Sequence, residues 1–447
     1  MNFVVISYGC QMNEYDSARV SSVLELCGVQ PVLNVADADI ILINTCSVRE
    51  KAEESAIARM RELRPLKLKN KHLKIGILGC MAKNRGATLL KELPFVDFVL
   101  PPDEYEKLPE IISGGVPPAP LPKGADLTLL TNRPLKNPVD AFAKLSNSYS
   151  APIAIQSGCN MRCSYCIVPF VRGREEYRDP NLILREIENA VQNGISEIIL
   201  LGQTVNGYRH KELSFADLLK KVAEVKGIER IRFMSPHPKH YTGELLNILL
   251  NEQKIAPHIH LPAQSGSNSI LKKMKRQYTR EEFLSIVEAL RMANLFYGIT
   301  TDLICGYPGE TEAEFEETLS LLREAQFDNA FLFAYSPRKG TPSALEAETI
   351  NAKEKWQRLQ CAIDLQNSIT LSRAKMMIGR KETILLERPS RRSAGEWIGK
   401  TGSFKKVIIP NSGNEGEKFR EGMYIDCIIE SVSGHTLRGK LLHSTCV

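Results

Sequence analysis

Three cysteines, Cys159, Cys163 and Cys166, fall within eight residues in a Cys-x3-Cys-x2-Cys pattern. They follow the apolar run Ile153-Ala-Ile155 and the turn-forming Gly158. Thiolates this closely spaced converge on one metal centre more readily than they find separate partners. Three ligands are one fewer than a closed tetrahedral zinc site normally uses. A cubane iron–sulfur cluster is usually held by four cysteines; held by three, it leaves one iron open to a substrate. The alternative is a zinc site with its fourth ligand elsewhere in the chain. No histidine follows the triplet until His210, outside the usual zinc spacings.

A second set is spread out. Cys10, Cys46 and Cys80 are separated by 36 and 34 residues. Each closes a short apolar run: Phe3-Val-Val-Ile6, Ile40-Ile-Leu-Ile43 and Ile75-Gly-Ile-Leu78. Between these runs, Ser17–Leu26 and Glu50–Leu63 carry helical periodicity. Such spacing is that of successive βαβ units, whose parallel strands end on one edge of the sheet. The pattern therefore predicts that three distant thiols meet in a second three-thiolate site, again with one iron open. The alternative is three small buried residues at strand ends. Cys27 sits on an apolar helical face and is expected in the core. Cys305, Cys361, Cys427 and Cys446 have no partner spacing and read as structural.

These sets need a scaffold, and 447 residues suffice for two to four domains. The expected fold is α/β: an N-terminal open parallel α/β domain (1–115), a linker (116–144), a central partial (β/α)6 barrel (145–375) and a small C-terminal antiparallel β-barrel (376–445). The linker is marked by Pro117, Pro118, Pro120, Pro122, Pro134 and Pro138. In the central region, six strands alternate with helices at Pro180–Gln192, Phe215–Val225, Gly243–Leu250, Arg280–Ala293 and Glu312–Ala325. Small and amide residues after successive strands, Gly202, Gln203, Ser235 and Gln264, are placed to approach a cofactor, followed by the turn Gly306–Thr311. His237, His258 and His260 read as structural. The last segment has short β-rich runs split by Gly, Pro, Asn and Ser, as in small barrels that bind oligonucleotides. Lys400, Lys405, Lys406, Arg438 and Lys440 are the expected phosphate contacts and Phe404 a stacking surface; a stabilising appendage is the alternative.

Composition narrows the class. Hydrophobic content of 43% and charged content of 25% are ordinary for a globular chain. Residues 376–447 carry 12 Lys and Arg against 8 Asp and Glu, so much of the net charge of +6 lies there. Met1–Ser7 is too short and lacks the basic start of a signal peptide. No apolar run approaches the roughly 18 residues of a membrane helix. The expectation is a cytoplasmic monomer without a membrane partner, whose eleven cysteines bind metal rather than form disulfides.

The stretch Cys159–Glu175, with Tyr165 just before the last cysteine, resembles the signature of the radical S-adenosylmethionine superfamily. Adding Gly9-Cys-Gln-Met-Asn13, Asn44–Lys51, Gly79-Cys-Met81, Ile259-His-Leu-Pro262, Gln264–Ser267 and Gly306–Thr311, the whole chain resembles the methylthiotransferase family. The resemblance implies an N-terminal methylthiotransferase domain, a radical core and a C-terminal TRAM domain. It implies that Cys10, Cys46 and Cys80 hold an auxiliary 4Fe-4S cluster, and that Cys159, Cys163 and Cys166 hold the radical-generating one. Sister branches act on a ribosomal-protein aspartate or on threonylcarbamoyl-adenosine. Leu200-Leu-Gly-Gln-Thr-Val-Asn206 favours the branch that adds a methylthio group to C2 of N(6)-dimethylallyl-adenosine at position 37 of the tRNA anticodon loop. The family pattern has Asn where this chain has Thr204 and Ser where it has Gly207, departures expected to leave cluster ligation untouched. Tyr165 and Gln203 are the expected contacts to S-adenosylmethionine, and an electron donor and a sulfur source are implied partners. A non-catalytic zinc- and RNA-binding module is the competing class.

Overall fold

A computed structural model describes residues 1–47, 50–113, 149–393, 395–411 and 419–442. The proline-rich stretch expected as a linker, 116–144, lies outside the described residues. The chain forms two compact units. One comprises Met1–Asn147, Ala151–Arg162 and Cys166–Gly227; the other comprises Ser148–Ser150, Cys163–Tyr165 and Ile228–Val447.

The first unit is built on five parallel strands: β1 (Asn2–Tyr8), β2 (Gln30–Pro31), β3 (Ile40–Thr45), β4 (Lys74–Gly79) and β5 (Phe98–Leu100), in the spatial order β2-β1-β3-β4-β5. Every residue of β3 is buried, the mark of a central strand covered on both faces. One cover is α1 (Gln11–Leu26), whose Val20, Val23 and Leu24 pack with Phe3, Ile40 and Leu42. The other is α2 (Glu50–Lys69), whose Ala56, Met60 and Leu63 pack with Ile41, Ile43, Ile75 and Ile77. Two helices, α3 (Cys80–Arg85) and α4 (Ala87–Glu92), follow β4, and α5 (Leu108–Ser113) follows β5. Helix α1 begins six residues before the expected Ser17, because Cys10 is its N-cap and its carbonyl accepts from Asn13 and Glu14. Helix α2 runs past Leu63 through Pro65.

The same unit resumes at Ala151 within β6 (Ser150–Ala154), which lies beside Glu197–Leu201. Between them come α6 (Val168–Arg172) and a helix at Pro180–Gln192 capped by Asp179. The second unit carries parallel strands at His258–His260, Gly298–Cys305 and Asn329–Ala334, with Arg230–Phe233 bridged in parallel at Ile231 to Ile255. Capping boxes set the starts of Phe215–Glu224 (Ser214 with Asp217), Arg280–Ala293 (Thr279 with Glu282) and Glu312–Ala325 (Thr311 with Glu314). Among the described residues six strands each lead into a helix, the alternation of a partial (β/α)6 barrel. The last helix, Ala352–Lys375, has no counterpart in the sequence reading. Its buried positions interleave Lys355, Arg358, Gln366 and Arg373 with Leu359, Ala362, Ile369 and Ala374, which blurs the apolar period.

The C-terminal strands Lys381–Pro389, Glu396–Thr401, Lys406–Pro410, Tyr424–Ser433 and Thr436–Leu441 close into a barrel. Closure needs one parallel pair, Lys406–Pro410 with Thr436–Leu441, in an otherwise antiparallel sheet. Ile384, Leu386, Val407, Ile409, Cys427, Ile429 and Leu437 fill its interior.

Candidate metal centres and nucleic-acid face

Sheet register places the first cysteine set. Tyr8 lies opposite Thr45, and Thr45 opposite Gly79, so β1, β3 and β4 end in one row. Cys46 and Cys80 come one residue beyond that row and Cys10 two beyond it. A Cβ added to Gly9 would lie 2.6 Å from the Cβ of Cys46, which shows how closely the loops approach. Gly79 makes the turn into α3 with φ 92°; a Cβ there would meet Asn44 Oδ1 at 2.3 Å and the Thr45 carbonyl at 2.4 Å.

An interlocked pair of buried amides holds the strand ends. Asn13 Nδ2 donates to Asn44 Oδ1 (3.1 Å) and to the Thr45 carbonyl (2.8 Å), while Asn44 Nδ2 donates to the Asn13 carbonyl (2.8 Å). Thr45 Oγ1 donates to the Leu78 carbonyl at 2.6 Å. Cys10 reaches the surface, while Cys46 and Cys80 are buried. A hydrogen bond with the Cys46 thiol draws the Cys10 thiol down to about 6; desolvation opposes this and the Arg172 charge assists it. Burial pushes Cys80 up, and Arg172 acts against that rise.

The cation beside these thiols is Arg172. It lies at the end of α6, six residues after Cys166. Its Nε donates to Cys80 Sγ at 3.1 Å, and its Nη1 pairs with Asp16 Oδ2 at 2.6 Å. Ile167 and Val171 of the same segment pack on Cys80. Arg172 Nη2 and the Tyr105 hydroxyl are buried with no hydrogen-bond partner among the described residues. Three thiols beside a buried cation fit an anionic, thiolate-held cluster, because three thiolates on a 4Fe-4S core of charge +2 leave a net negative charge. Among the described residues no three His, Cys, Asp or Glu side chains are grouped to hold a single ion. A cubane differs from such a site in that each thiolate binds a different iron.

The second set lies in a loop opened by Gly158, at φ 77°, where a Cβ would fall 1.9 Å from the Arg174 carbonyl oxygen. The Cys159 amide donates to the Gly173 carbonyl at 3.1 Å. Asn160 and Glu175 hydrogen-bond reciprocally at 3.2–3.3 Å. Cys159 and Cys166 belong to the first compact unit and Cys163 to the second. In the second unit, Arg276 Nη1 donates to Cys163 Sγ at 3.5 Å, and Ser164 Oγ lies 2.9 Å from the Tyr307 hydroxyl. Tyr165 packs against Ile270, Met274, Tyr307 and Tyr335.

The expected cofactor residues divide between the units. In the first, Gln156 Oε1 accepts from the amides of Gln203 (2.9 Å) and Thr204 (3.1 Å), and its Nε2 donates to the Gly158 carbonyl (2.6 Å). Gln156, missed in the sequence, thus ties the Gly202–Thr204 loop to the turn before Cys159. Gly202 is required because a Cβ would lie 2.5 Å from that same oxygen. Gln203 Oε1 is buried with no hydrogen-bond partner among the described residues. Thr204, 1% exposed, puts its hydroxyl 3.2 Å from Cys159 Sγ, so this departure lies next to a cysteine of the set instead of apart from it. In the second unit, Ser235 (φ 61°) and Gln264 (φ 70°) are non-glycine residues in the left-handed region at the ends of successive strands, a strain concentrated at functional sites.

The five basic residues expected to grip phosphate separate. Lys405 is 11% exposed and pairs at 2.6 Å with Asp328, which also binds Arg291 (2.9 Å) and Arg373 (3.4 Å). Burial pushes the Asp328 carboxyl up, but Lys405, Arg291 and Arg373 outweigh it and hold the group at about 2. Lys405 is therefore an internal anchor and not a surface cation. Phe404 likewise stacks on His258 (4.8 Å between centroids) under Arg232 and Lys400 and is already occupied. Lys400 pairs with Glu387 and Arg438 with Glu396, both at 2.8 Å and partly exposed. Lys406 and Lys440 are exposed on adjacent strands of the closed barrel, four residues apart along them, since Val407 lies opposite Leu437.

No helix among the described residues is long and apolar enough to cross a membrane. Residues 153–322 match the Radical SAM superfamily, residues 2–101 the Uncharacterized protein family UPF0004, and residues 375–442 the TRAM domain. Among solved structures, the chain is similar to the radical S-adenosylmethionine methyltransferase TsrM from Kitasatospora setae, determined with cobalamin and a 4Fe-4S cluster bound: TM-score 0.55, 14% identity, 77% of each chain. The cobalamin-dependent radical enzyme OxsB gives a TM-score of 0.53 at 13% identity over 82% of this chain and 56% of that one. These likenesses establish the fold. Sequence relatives go further. The tRNA-2-methylthio-N(6)-dimethylallyladenosine synthases of Methylacidiphilum infernorum (39% identity, 98% of this chain, 94% of the relative) and Moorella thermoacetica (39%, 91% and 92%) match almost end to end. The synthase of Dictyoglomus thermophilum does so at 37% over 98% of both. At that identity across all three domains, the chain belongs to the tRNA-2-methylthio-N(6)-dimethylallyladenosine synthase family.

Proposed function

We infer that this chain is a radical S-adenosylmethionine methylthiotransferase that adds a methylthio group to C2 of N(6)-dimethylallyl-adenosine at position 37 of tRNA. The observation that carries this reading is the gathering of Cys10, Cys46 and Cys80 at one sheet edge in a chain that also holds the Cys159-x3-Cys163-x2-Cys166 loop. An adenosine C2–H bond is not acidic and hydride is not a leaving group, so polar chemistry does not replace that hydrogen with sulfur. Homolytic chemistry does.

In this reading Cys159, Cys163 and Cys166 hold one 4Fe-4S cluster, and Cys10, Cys46 and Cys80 hold a second. When bound, the first cluster supplies the electron that cleaves S-adenosylmethionine and the second carries the sulfur to be transferred. The protein's own groups bind and orient. In the first unit the buried Gln203 Oε1, next to Gly202, offers an acceptor to S-adenosylmethionine; in the second unit Tyr165, Ser235 and Gln264 are the proposed cofactor residues. Lys406 and Lys440, joined by the partly exposed Lys400 and Arg438, contact phosphates of the anticodon stem. The base leaves its stack to react, as is usual in base-modifying enzymes.

Mass spectrometry of position-37 adenosines in tRNA from cells lacking this protein tests the reading. Accumulation of N(6)-dimethylallyl-adenosine without its methylthio form is expected. An unchanged tRNA profile, with a methylthio group missing from a protein instead, would overturn it.

A further inference from the structure

Arg172 stands out among the buried charges. It belongs by sequence to the segment that follows Cys166, yet its side chain is spent on the first cysteine set. The guanidinium is 3% exposed, with Nε 3.1 Å from Cys80 Sγ and Nη1 2.6 Å from the Asp16 carboxylate, itself 4% exposed. Asp16 lies on α1, six residues after Cys10. The chain Asp16–Arg172–Cys80 therefore joins the helix capped by one cysteine, the helix opened by another, and the segment after Cys166, all within one compact unit. Ile167 and Val171 seal the thiol side of the contact with apolar atoms.

This arrangement is expensive unless it answers a charge. A buried cation whose one carboxylate contact is an ion pair still leaves Nη1 and Nη2 without a hydrogen bond among the described residues. Cys80 as a neutral thiol would be a weak acceptor for a charged N–H donor; as a cluster-bound thiolate it would be a strong one. Donors to cysteine sulfur and nearby positive charge both stabilise the reduced, more negative state of an iron–sulfur cluster and so raise its potential. Asp16 works in the opposite direction by partly cancelling the guanidinium charge.

We propose that Arg172 is a positioning and redox-tuning residue for a cluster held by Cys10, Cys46 and Cys80: it fixes Cys80 by an N–H···S hydrogen bond and raises that cluster's reduction potential, with Asp16 as the counterweight. The inference rests on the ligand reading above. A single mutation in the segment after the second cysteine set thus changes the electronics of the first.

The experiment uses full-length protein in which Cys159, Cys163 and Cys166 are all replaced by Ala, so that only the first set can report. After anaerobic reconstitution, iron content and electron paramagnetic resonance during redox titration are measured for this background and for the same background with Arg172→Met, Arg172→Lys or Asp16→Asn. Arg172→Met is expected to lower the potential, shifting the reduced-to-oxidised ratio at fixed ambient potential by about tenfold, or about 59 mV for one electron. Arg172→Lys keeps the charge but not the planar Nε donor, and recovers part of that shift. Asp16→Asn is expected to move the potential upward. A purely structural salt bridge would make both Arg172→Met and Asp16→Asn lose iron or shift the same way. Full iron with an unmoved potential in Arg172→Met, or shifts of one sign in both variants, overturns the proposal. Absence of any cluster in the background protein instead overturns the ligand reading itself.

Discussion

The two cysteine sets reach similar ends by opposite routes. Cys159, Cys163 and Cys166 are neighbours in the chain, and local structure has only to shape one loop around them. Cys10, Cys46 and Cys80 span 71 residues and meet because three parallel strands finish in the same row. The loop is held by its own surroundings: Gly158, the Asn160–Glu175 pair and Gln156. The assembled set is held by the sheet, through Asn13, Asn44 and Thr45. Damage to a local loop should stay local, whereas the assembled set should fail whenever the strand ends shift.

The sharpest way to break this comparison is to remove one cysteine from each set. If each set holds a 4Fe-4S cluster as proposed, a reconstituted chain carries about eight irons, of which Cys10→Ala and Cys163→Ala should each lose about half. Cys10→Ala should still cleave S-adenosylmethionine and make no methylthiolated product; Cys163→Ala should do neither. Loss of cofactor cleavage in Cys10→Ala would abolish the division of labour between the sets.

Next in size are the two glycines. Gly79→Ala drives a methyl into Asn44 and the Thr45 backbone, and Gly158→Ala drives one into the Arg174 carbonyl. The first should empty the assembled set and spare the loop set, and the second the reverse, read from iron content and cofactor cleavage. Strain of about 1–3 kcal/mol is expected at each from backbone conformation alone, before the clash is counted.

Lys405 and Lys406 carry the same contrast into the barrel, since adjacent lysines have opposite fates. Asp328→Ala leaves Lys405, Arg291 and Arg373 without their common carboxylate and should cost about 3–5 kcal/mol in unfolding experiments. Because the Asp328 carboxyl is held at about 2, the network's contribution is full above the ordinary carboxylate value of about 3.9 and fades as pH falls from there toward 2. Replacing Lys406 and Lys440 together by Ala should leave stability unchanged and reduce the salt slope of tRNA binding by about 2. Lys405→Met should do the opposite. A reduced salt slope in Lys405→Met would return that residue to the RNA surface.

The smallest effect is expected at Thr204. Thr204→Val removes the hydroxyl 3.2 Å from Cys159 Sγ at nearly constant volume. It should lower the potential of the cluster proposed for the loop modestly, by less than tenfold in reduced-to-oxidised ratio, and leave the assembled set untouched. An equal shift in both clusters would mean that the two sets do not act separately.

Much of this was legible before any coordinates. Periodic segments with strong boundary signals read true: Pro180–Gln192, Arg280–Ala293 and Glu312–Ala325 all have the bounds expected of them. A period of two or 3.6 and a capping side chain are short-range properties, written in consecutive residues. The helix Ala352–Lys375 was missed because Lys355, Arg358, Gln366 and Arg373 interrupt the apolar positions of its buried face, and a partner such as Asp328 for Arg373 lies far away in sequence. Lys405 looked like its neighbour for the same reason, since nothing in a basic pair says which member meets a buried carboxylate.

By itself, then, the amino-acid order determined the identity of the six candidate thiols, the α/β alternation and the β-rich C-terminal module, because each rests on residue type and near-neighbour spacing. Only tertiary structure decided that Asp16, Arg172 and Cys80 touch, that Thr204 meets Cys159, and that Lys405 turns inward while Lys406 does not. Hydrogen bonds and ion pairs act over about 3 Å, and which distant groups come within that range is settled by packing.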